Sequence, residues 1–476
     1  MREAVGAPAP AGRPGRGRRP GARESILDAI RACEPLSRVE LAKITGLTEA
    51  AVSMTVRRLL EEGLVVETGR TPTGGKPRTL LQLDPTARLA VGVHLDEDTT
   101  TYVLTGQTGG VISRLARPAL PAMSATRTGS TTGTSAGPAP APTADQPVTA
   151  APGSTASGSA APGSTTSGPA TAGPATTGSV TASGDGDRLG DGVDLLLRTL
   201  AADIDTLLAG SGVDPARCLG VGIVWPGPHS GGPADDPLPH LRGLGGDELG
   251  SRLSAATGWP VLVENDATAA AVGEYWVARV GPEQAFAALY MGGGIGAGIV
   301  VEGRAMRGSH ASAGEFGHLC LDVFGPECWC GSRGCLEVLA GPRTVVSAAR
   351  DNRVAAAEAG LDLSQPLRSV ATEFAAIARA ARAGAPHCRT LLETSARYVA
   401  AAAETVVNLL DIDLLVLTGP GFAAASAIYG PAIMRRLAPA DARTWHRNVT
   451  VTVSLAAATA SATGAAALVL QSHLRA

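Results

Sequence analysis

A histidine and three cysteines with the spacing of a metal site stand in the second half of the chain: His318, Cys328, Cys330 and Cys335. One imidazole and three thiolates are a complete tetrahedral donor set for zinc, and four protein ligands leave no open position for catalysis. The spacing therefore predicts a structural zinc ion. The alternative is a set of unliganded, reduced cysteines beside an unrelated histidine.

Two carboxylates stand next to these donors, Glu315 before the histidine and Glu337 after the last cysteine. A metal that clamps this loop would hold both carboxylates in place. Carboxylate oxygens accept hydrogen bonds and are suited to the hydroxyls of a small polyol. We therefore expect Glu315 and Glu337 to face a ligand.

A second polar group, Glu264-Asn265-Asp266, follows a predicted strand at 261–263 and begins a predicted helix at 267–278. Ligands of open α/β sheets bind beyond the carboxyl ends of the strands, so Asn265 and Asp266 are expected to grip adjacent hydroxyls in a cleft. Asp266 could also accept the proton of a sugar hydroxyl that attacks phosphate. The alternative is that Asp266 is only the N-cap of the helix.

A glycine-rich run, Met-Gly-Gly-Gly-Ile-Gly-Ala-Gly at 291–298, lies between two predicted strands. Backbone amides in such a turn can cradle phosphate, which makes Gly292, Gly294 and Gly296 a candidate remnant of a phosphate loop. A single glycine-rich turn is also typical of a tight hairpin or of a close approach between two backbones.

Residues 23–84 have the pattern of a winged helix-turn-helix. Apolar residues at helical spacing, capping signals and two short strand-like runs around a basic loop indicate three helices followed by a β-hairpin wing. The predicted elements are helices at 24–33, from Ser37 and at 49–62, and strands at 64–67 and 79–83.

The polar and basic side chains of the third helix and of the wing are suited to DNA. Short polar groups and guanidinium groups read base edges in the major groove, and lysine and arginine hold phosphates. A basic arm at 1–22, predicted to be disordered, adds attraction that does not depend on sequence. The alternatives are a merely solvated helix face or a protein-docking module. The predicted DNA contacts are Thr48, Glu49, Ser53, Thr55 and Arg57 on the helix and Lys76 and Arg78 on the wing.

The rest of the chain alternates strands and helices, which favours an α/β fold, and it is interrupted once. Residues 118–187 consist almost entirely of Ala, Pro, Ser, Thr and Gly, and such a segment buries too little apolar surface to offset its ordering entropy. It is predicted to be a disordered insertion, with a mucin-like stalk as the alternative. The insertion divides the α/β domain into 88–117 and 188–476.

Composition excludes several classes of protein. Of 476 residues, 44% are apolar, too many for a fibrous or wholly disordered chain. The net charge of −3 conceals a basic N-terminal region, which lacks the apolar core of a secretory signal. No run is apolar enough to cross a bilayer, so we expect a soluble cytoplasmic protein without a membrane partner, whose cysteines stay reduced.

Taken together, these motifs resemble those of the ROK family, named for repressor, open reading frame and kinase. The resemblance covers about 88–470 apart from the insertion. It implies an α/β fold of the actin-like ATPase (ribonuclease H-like) type with two lobes, here preceded by the winged helix-turn-helix. The matching segments are Val-Gly-Ile-Val-Trp-Pro-Gly-Pro at 221–228, 264–267, the loop 292–296, Gly-Glu-Phe-Gly-His at 314–318, and Cys-x-Cys-x4-Cys-x-Glu ending at Glu337.

The resemblance also implies roles for individual residues. In kinases of the family the residue that matches Asp266 is the base. His318 and the three cysteines would hold zinc, so that His318 would serve both metal and sugar. The sugar-contacting positions implied by the resemblance are Asn265, Asp266, Glu315, His318 and Glu337.

The chain departs from the family's kinases where they bind nucleotide. Those kinases have Asp-x-Gly-Gly-Thr after the first strand, close to the ATP phosphates, whereas here His94 replaces the aspartate and Asp96-Glu97-Asp98 replaces Gly-Gly-Thr. Three carboxylates repel polyphosphate, and their Cβ atoms prevent a close backbone approach. ATP is therefore not expected as a cofactor. His240 stands where the kinases usually have asparagine, which leaves the identity of the sugar open.

These features predict a sugar-responsive transcriptional regulator, a repressor, with structural Zn2+ and no catalytic residue. Its expected partners are a double-stranded DNA operator, a sugar or sugar-phosphate effector, and further copies of the chain in a homodimer or homotetramer that places two recognition helices on half-sites. One alternative is an ATP-dependent, glucokinase-like hexose kinase with a DNA-binding appendage and Asp266 as its catalytic base. Another is a non-catalytic scaffold whose zinc loop only stabilises an oligomer.

Overall fold

The computed structural model describes residues 21–71, 77–119, 185–227, 241, 244–278, 280, 284–367, 369–438 and 448–474. Nearly all of the predicted basic arm and of the predicted insertion lies outside these residues, as do Lys76 and His240. The predicted disorder and the predicted domain bounds therefore stay predictions. The described residues outside 123–190 belong to one compact unit.

Three helices and a three-stranded sheet form the N-terminal domain around a small apolar core. Ser37 caps the second helix and Glu40 completes the predicted capping box, while Thr48 caps the third helix by accepting a hydrogen bond from Ala51 N. These caps satisfy amides that the first turn of a helix leaves unpaired. The elements are α1 (Ala22–Cys33), β1 (Leu36–Ser37), α2 (Arg38–Thr45), α3 (Glu49–Glu61), β2 (Val65–Thr71) and β3 (Arg78–Leu83), with the strand order β1-β3-β2.

A five-stranded sheet forms the first lobe of the α/β domain, and two helices, α4 (Asp185–Gly210) and α5 (Gly246–Thr257), contribute to its core. Its first three strands form an antiparallel meander, and two further strands run parallel to the first of them. The turn after the first strand and the end of the last strand therefore lie at the same edge. The strands are β4 (Leu89–Leu95), β5 (Thr99–Gly106), β6 (Val111–Pro118), β7 (Cys218–Trp225) and β8 (Val261–Asn265), in the order β6-β5-β4-β7-β8.

A second five-stranded sheet forms the other lobe. One of its faces is covered by an apolar core in which six helices take part. The strands are β9 (Phe286–Met291), β10 (Ile295–Val301), β11 (Arg304–Ala305), β12 (Leu414–Thr418) and β13 (Thr450–Val453), in the order β11-β10-β9-β12-β13. The helices are α7 (Leu336–Ala340), α8 (Pro342–Asp351), α9 (Arg353–Ala359), α10 (Val370–Arg382), α11 (Pro386–Leu410) and α12 (Pro420–Leu437).

Two further helices, α6 (Asp266–Val277) and α13 (Ala460–Leu474), share a core with strands of both sheets. They pack closely because each has a glycine at the contact. A Cβ on Gly464 would lie 1.6 Å from the carbonyl oxygen of Ala269, and one on Gly273 would lie 2.2 Å from that of Ala460. Two sheets joined by a close-packed helix pair are the arrangement that the predicted two-lobed α/β fold requires.

None of the helices that the structure describes combines the length and the apolar character needed for crossing a membrane.

Candidate functional site

The loop before α7 brings the four predicted metal ligands together. The ligand atoms of His318, Cys328, Cys330 and Cys335 all lie within 4.8 Å of one another. Cys328 Sγ is 3.6 Å from His318 Nδ1, and Cys330 Sγ is 3.7 Å from Cys335 Sγ. Tetrahedral zinc with bonds of about 2.0 to 2.3 Å requires ligand atoms about 3.5 to 3.8 Å apart. Both of these separations match that range, and the residue types are those of a structural zinc site.

A tight backbone turn holds the last cysteine of this set. Gly334 has a φ of 62°, and a Cβ at this position would lie 1.6 Å from the carbonyl oxygen of Asp322. Only glycine tolerates both conditions. The next residue, Cys335, pairs with Cys320 in an isolated β-bridge and is the N-cap of α7. The loop thus fixes Cys335 between a bridge and a helix.

The second ring nitrogen of His318 faces the first predicted sugar ligand. His318 Nε2 is 3.9 Å from Glu315 Oε2, while Nδ1 faces Cys328. The indole of Trp329 stands edge-on to the imidazole, with 4.8 Å between the ring centroids. With Nδ1 on the metal side, Nε2 points toward Glu315, which is the geometry that the predicted double role of His318 needs.

Glu337 on α7 is bound to the start of β10. Its Oε2 accepts a hydrogen bond of 2.9 Å from Ile295 N, and a Cβ on Gly294 would lie 3.3 Å from Glu337 Oε1. Burial raises the pKa of Glu337 to about 7, against the opposing effects of the Ile295 amide and of the charge on Arg343. A carboxyl group that is partly protonated near neutral pH can donate as well as accept hydrogen bonds.

Asn265 and Asp266 lie where β8 ends and α6 begins. Asn265 Oδ1 accepts hydrogen bonds from Ala267 N and Thr268 N, both of 3.0 Å. Asn265 is therefore the N-cap, and the alternative that Asp266 is the N-cap is wrong. The cap uses only the oxygen of the amide, so its NH2 group is a donor for a ligand. Asp266 is 5% exposed in the first turn, where the helix dipole favours negative charge.

The imidazole of His94, at the end of β4, faces Asp266. Its side chain is buried, with Nε2 3.8 Å from Asp266 Oδ2, and Nε2 has no hydrogen-bond partner among the described residues. Burial lowers the pKa of His94, but the Asp266 carboxylate and the charge of Asp96 outweigh burial and raise the pKa overall. The arrangement therefore places an imidazole directly beside the Asp266 carboxylate.

The acidic turn after β4 reaches across to the second lobe and binds the N-terminus of α10. Asp98 Oδ2 accepts a hydrogen bond of 2.9 Å from Thr372 Oγ1 and another from Ser369 Oγ. Glu97 Oε2 accepts one of 3.2 Å from Val370 N. The unpaired amides and the dipole of a helix N-terminus stabilise carboxylates. The sequence indicated repulsion of phosphate here but gave no sign of this link between the lobes.

The glycine-rich run forms a hairpin. Gly292 and Gly294 lie in the turn between β9 and β10, closed by a hydrogen bond of 3.0 Å from Gly292 N to Gly294 O. Gly296 belongs to β10, and a Cβ there would lie 3.1 Å from the Cβ of Ala267 on α6. The start of β10 therefore contacts both the Glu337 carboxylate and the first turn of α6. The use of these glycines as a phosphate loop stays a prediction.

Of the predicted DNA contacts that the structure describes, most lie on the outer side of α3, and Arg78 lies on the wing. Thr55 is half-buried, close to the core side of the helix. Sequence reasoning missed Met54, which is 58% exposed and lies away from the core residues Val52 and Val56. Its position on the helical wheel was readable from the sequence, and an apolar side chain there can contact a thymine methyl group. The predicted contacts that are exposed are Thr48, Glu49, Ser53, Arg57 and Arg78.

Two protein families match the two parts of this chain. Residues 22–66 match a winged helix-turn-helix DNA-binding family, and residues 197–472 match the ROK family. The second match covers more than half of the chain, so the protein belongs to the ROK family. The predicted family and the predicted fold class are both confirmed.

Relatives of this chain include repressors and kinases. A xylose repressor from Caldicellulosiruptor bescii is 23% identical over 82% of this chain and 81% of its own length. A glucokinase from Streptomyces coelicolor is 33% identical over 36% of this chain and 55% of its own length.

Solved structures share the fold. The crystal structure of a ROK family transcriptional regulator, a homolog of the E. coli MLC protein, has a TM-score of 0.59 and 21% identity and covers 95% of this chain and 98% of its own. A ROK family glucokinase from Streptomyces griseus, in complex with glucose and AMPPNP, has a TM-score of 0.51 and 22% identity and covers 80% of this chain and 99% of its own. The chain thus has the two-lobed actin-like fold, with a winged helix-turn-helix before it.

Proposed function

We propose that this protein is a sugar-responsive transcriptional repressor. It binds a double-stranded DNA operator through its winged helix, and its operator affinity changes when a sugar or sugar phosphate binds in the cleft of the ROK domain. It acts in the cytoplasm and is not an enzyme. The observation that carries this proposal is that the acidic turn, in place of the kinases' Gly-Gly-Thr, gives its carboxylates to the N-terminus of α10.

Hydrogen-bonding groups of complementary kinds support a sugar site. The amide of Asn265 donates, the carboxylates of Asp266 and Glu315 accept, and the carboxyl group of Glu337 does both near neutral pH. His318 Nε2 adds one further polar atom beside Glu315. A sugar presents hydroxyls that both donate and accept, and such a mixed set satisfies them.

A zinc ion would be held by His318, Cys328, Cys330 and Cys335, and two of the separations between these ligand atoms, 3.6 and 3.7 Å, match tetrahedral coordination. When bound, it would cross-link the loop and supply rigidity rather than chemistry. The loop itself carries Glu315 just before the first ligand, and Glu337 follows the last ligand on α7. Both carboxylates therefore depend on the loop for their positions.

Two features argue against phosphoryl transfer. The amide of Val370 and the hydroxyls of Ser369 and Thr372 bind Glu97 and Asp98, and these carboxylates stand where the kinases approach phosphate. His94 replaces the aspartate of the kinase motif, and its Nε2 lies 3.8 Å from Oδ2 of Asp266, the residue that would be the catalytic base. ATP is therefore not a cofactor in this proposal.

An operator with two half-sites requires an oligomer of this chain. A homodimer places two α3 helices on half-sites about 34 to 36 Å apart, one turn of B-DNA, and a homotetramer binds two such sites. A change in the geometry of the cleft alters the spacing of the two helices and hence the operator affinity. A coupling of about 1 to 3 kcal/mol changes that affinity about 5- to 150-fold.

The test is fluorescence anisotropy with the DNA upstream of the coding region, titrated with and without D-xylose, D-glucose or N-acetyl-D-mannosamine. We expect one sugar to change the DNA Kd by at least about 5-fold. Asp266→Asn should lose this response and keep sugar-free DNA binding, whereas Asp205→Asn, on the exposed side of α4, should behave as wild type. The proposal would be contradicted if the protein bound this DNA and no sugar changed the Kd.

A second assay addresses the kinase alternative. Incubation with Mg-ATP and the same sugars should give no phosphorylated sugar above the level of the Asp266→Asn variant. Turnover that Asp266→Asn abolishes would replace the proposal by a hexose kinase with a DNA-binding appendage.

A further inference from the structure

Two elements run from the candidate sugar site to the DNA-binding domain, and both end on the same helix, α1. The first is α6, which begins at Asp266 and is 12 residues long, about 18 Å. The second is the β10–β11 hairpin, which begins at Ile295, the residue whose amide binds Glu337. The far ends of both elements contact α1 through arginine side chains.

Arg31 joins α1 to the C-terminal end of α6. Its side chain is 2% exposed. Nη1 donates a hydrogen bond of 3.0 Å to the carbonyl oxygen of Tyr275, and Nη2 donates one of 3.3 Å to that of Val280. The guanidinium carbon lies 4.1 Å from the centroid of the Tyr275 ring and 5.5 Å from that of Trp276. A cation on the last carbonyls of a helix and on aromatic faces is stabilised by both.

A second contact joins α1 to the hairpin. Arg304 on β11 donates a hydrogen bond of 2.8 Å to Glu24 Oε1 at the start of α1. Arg304 pairs with Val301, the last residue of β10. Glu24 and Arg31 lie at opposite ends of α1, so the helix is held at both ends by elements that begin at the sugar site.

The wing is attached elsewhere, to the first lobe. Gln107, in the turn between β5 and β6, donates hydrogen bonds from Nε2 to the carbonyl oxygens of Leu64 and Asp84, of 2.7 and 2.6 Å. Leu64 precedes β2, and Asp84 follows β3. The base of the wing is therefore attached to a different element of the ROK domain from those that contact α1.

Helix α6 is suited to transmit a displacement from one of its ends to the other. Every residue from Asp266 to Trp276 is buried, which opposes bending. The contacts of α6 with β10 and α13 include small groups: Gly298 lies against Ala271, and Gly464 lies against Ala269. Small sliding of packed helices is the shear mode of domain movement.

We propose that Arg31 is the positioning residue that couples the sugar site to the DNA-binding domain. A ligand that draws the first turn of α6 toward Glu337 moves its last turn by the same amount, and Arg31 transmits the movement to α1. The Gln107 contact holds the base of the wing, so α1 moves relative to the wing and α3 turns. This inference rests on the proposed function and names the residue through which the response passes.

The test compares Arg31→Met, Arg31→Lys and a control, Arg23→Met. Arg23 is also an α1 arginine, but it pairs with Glu62 inside the DNA-binding domain. The readout is the ratio of the DNA Kd with and without the sugar of the panel that acts on wild type. Arg31→Met should reduce this ratio to less than about 2-fold while calorimetry shows unchanged sugar affinity within about 3-fold, given a wild-type coupling of about 5- to 150-fold. Arg31→Lys should retain part of the ratio, and Arg23→Met should retain all of it.

If Arg31 has only a structural role, Arg31→Met will lower the stability of the protein and leave the ratio of the two Kd values unchanged. This result overturns the inference but not the proposed function. If no sugar changes the DNA Kd of the wild-type protein, both the proposed function and this inference are overturned. If the Arg31→Met variant does not fold, hydrogen exchange in the wild-type protein tests the inference instead. Sugar should then change the exchange of amides at 22–33 and 272–278, and sugar binding without such a change overturns the inference.

Discussion

His94 replaces the aspartate of the kinase motif and places an imidazole beside Asp266, with 3.8 Å between His94 Nε2 and Asp266 Oδ2. The sequence shows the replacement itself but not the partner, since His94 and Asp266 are distant in the chain and meet only through the parallel pairing of β4, β7 and β8. The N-cap role of Asn265 was equally hidden. Neighbouring Asn and Asp are both good caps, and only the backbone of the helix start decides between them.

The raised pKa of His94 gives a defined dependence of stability on pH. The ordinary pKa is 6.5 and the folded pKa lies above it, so the stabilisation is complete below pH 6.5 and is lost as pH rises through the folded pKa. The charged and titratable groups that face His94 are Asp96, Asp266 and Tyr290. We expect urea unfolding to show a wild-type advantage over His94→Gln that shrinks as the pH rises above about 6.5. An advantage that grows over this range would contradict the assignment.

Cysteine variants test the metal site. Cys330→Ser removes one of the four donors, so zinc affinity should fall by more than the about 10- to 100-fold lost when only a ligand's orienting partner is removed. The matched control is Cys320→Ser, an exposed cysteine in the same loop but outside the donor set. Native mass spectrometry should find about one zinc per chain in wild type and control. Equal zinc content in Cys330→Ser would exclude this ligand set.

At the scale of elements, the N-terminal domain was predictable from sequence and the cleft was not. Capping boxes, glycine stops and helical periodicity are local signals, so α2 and α3 follow from the sequence almost to the residue. The link from the acidic turn to α10 depends on two segments far apart in the chain, and no local pattern records it. The glycine-rich run shows the same limit, since Gly296 proved to lie in a strand packed against α6.

The exposed face of α3 and the wing should act through phosphates as well as bases. Arg57→Ala and Arg78→Ala each remove one cation, so each should weaken binding to any duplex and lower the slope of log Kd against log salt by about 1 if that residue holds a phosphate. Arg389→Ala, an exposed arginine on α11, is the control. Anisotropy titrations over a range of salt would reveal the slopes, and wild-type slopes in both variants would place the DNA elsewhere.

The contact between α6 and α13 has a direct stability test. Gly464→Ala places a Cβ against the carbonyl oxygen of Ala269, a backbone atom that cannot rotate away, and overpacking of this kind costs about 1 to 3 kcal/mol. Gly192→Ala in α4 meets nothing within 4 Å and should stabilise by up to about 1 kcal/mol. Thermal unfolding would compare the two variants. A Gly464→Ala protein as stable as wild type would show that the helices are not packed as described.

At the scale of the whole molecule, the sequence supplied the order of the domains and the family, whereas the connections between the domains came only from the structure. The contacts of Arg31 and Gln107 are made to backbone carbonyl oxygens, which any sequence provides. Side-chain identity on the partner therefore carries no signal of such contacts. Docking of one domain on another is for this reason the part of a molecule that sequence patterns describe least.

The proposed exclusion of nucleotide depends on both lobes, because the acidic turn of the first lobe contacts α10 of the second. Because Asp98 and Glu97 bind the N-terminus of α10, calorimetry with Mg-ATP or Mg-ADP at about 1 mM should show no saturable heat, whereas an active ROK glucokinase serves as the positive control. Replacing the turn by Gly-Gly-Thr removes the three carboxylates and should increase nucleotide binding if they exclude it. Tight binding of Mg-ATP by wild type would refute this account of the turn.

The acidic turn also bears on which small molecules the protein can respond to. Its own carboxylates bind the amide and hydroxyls at the start of α10, so the chain itself joins the lobes there. If the turn excludes nucleotide as proposed, the sugar alone sets the output, and at a given sugar concentration the output is the same at high and at low ATP.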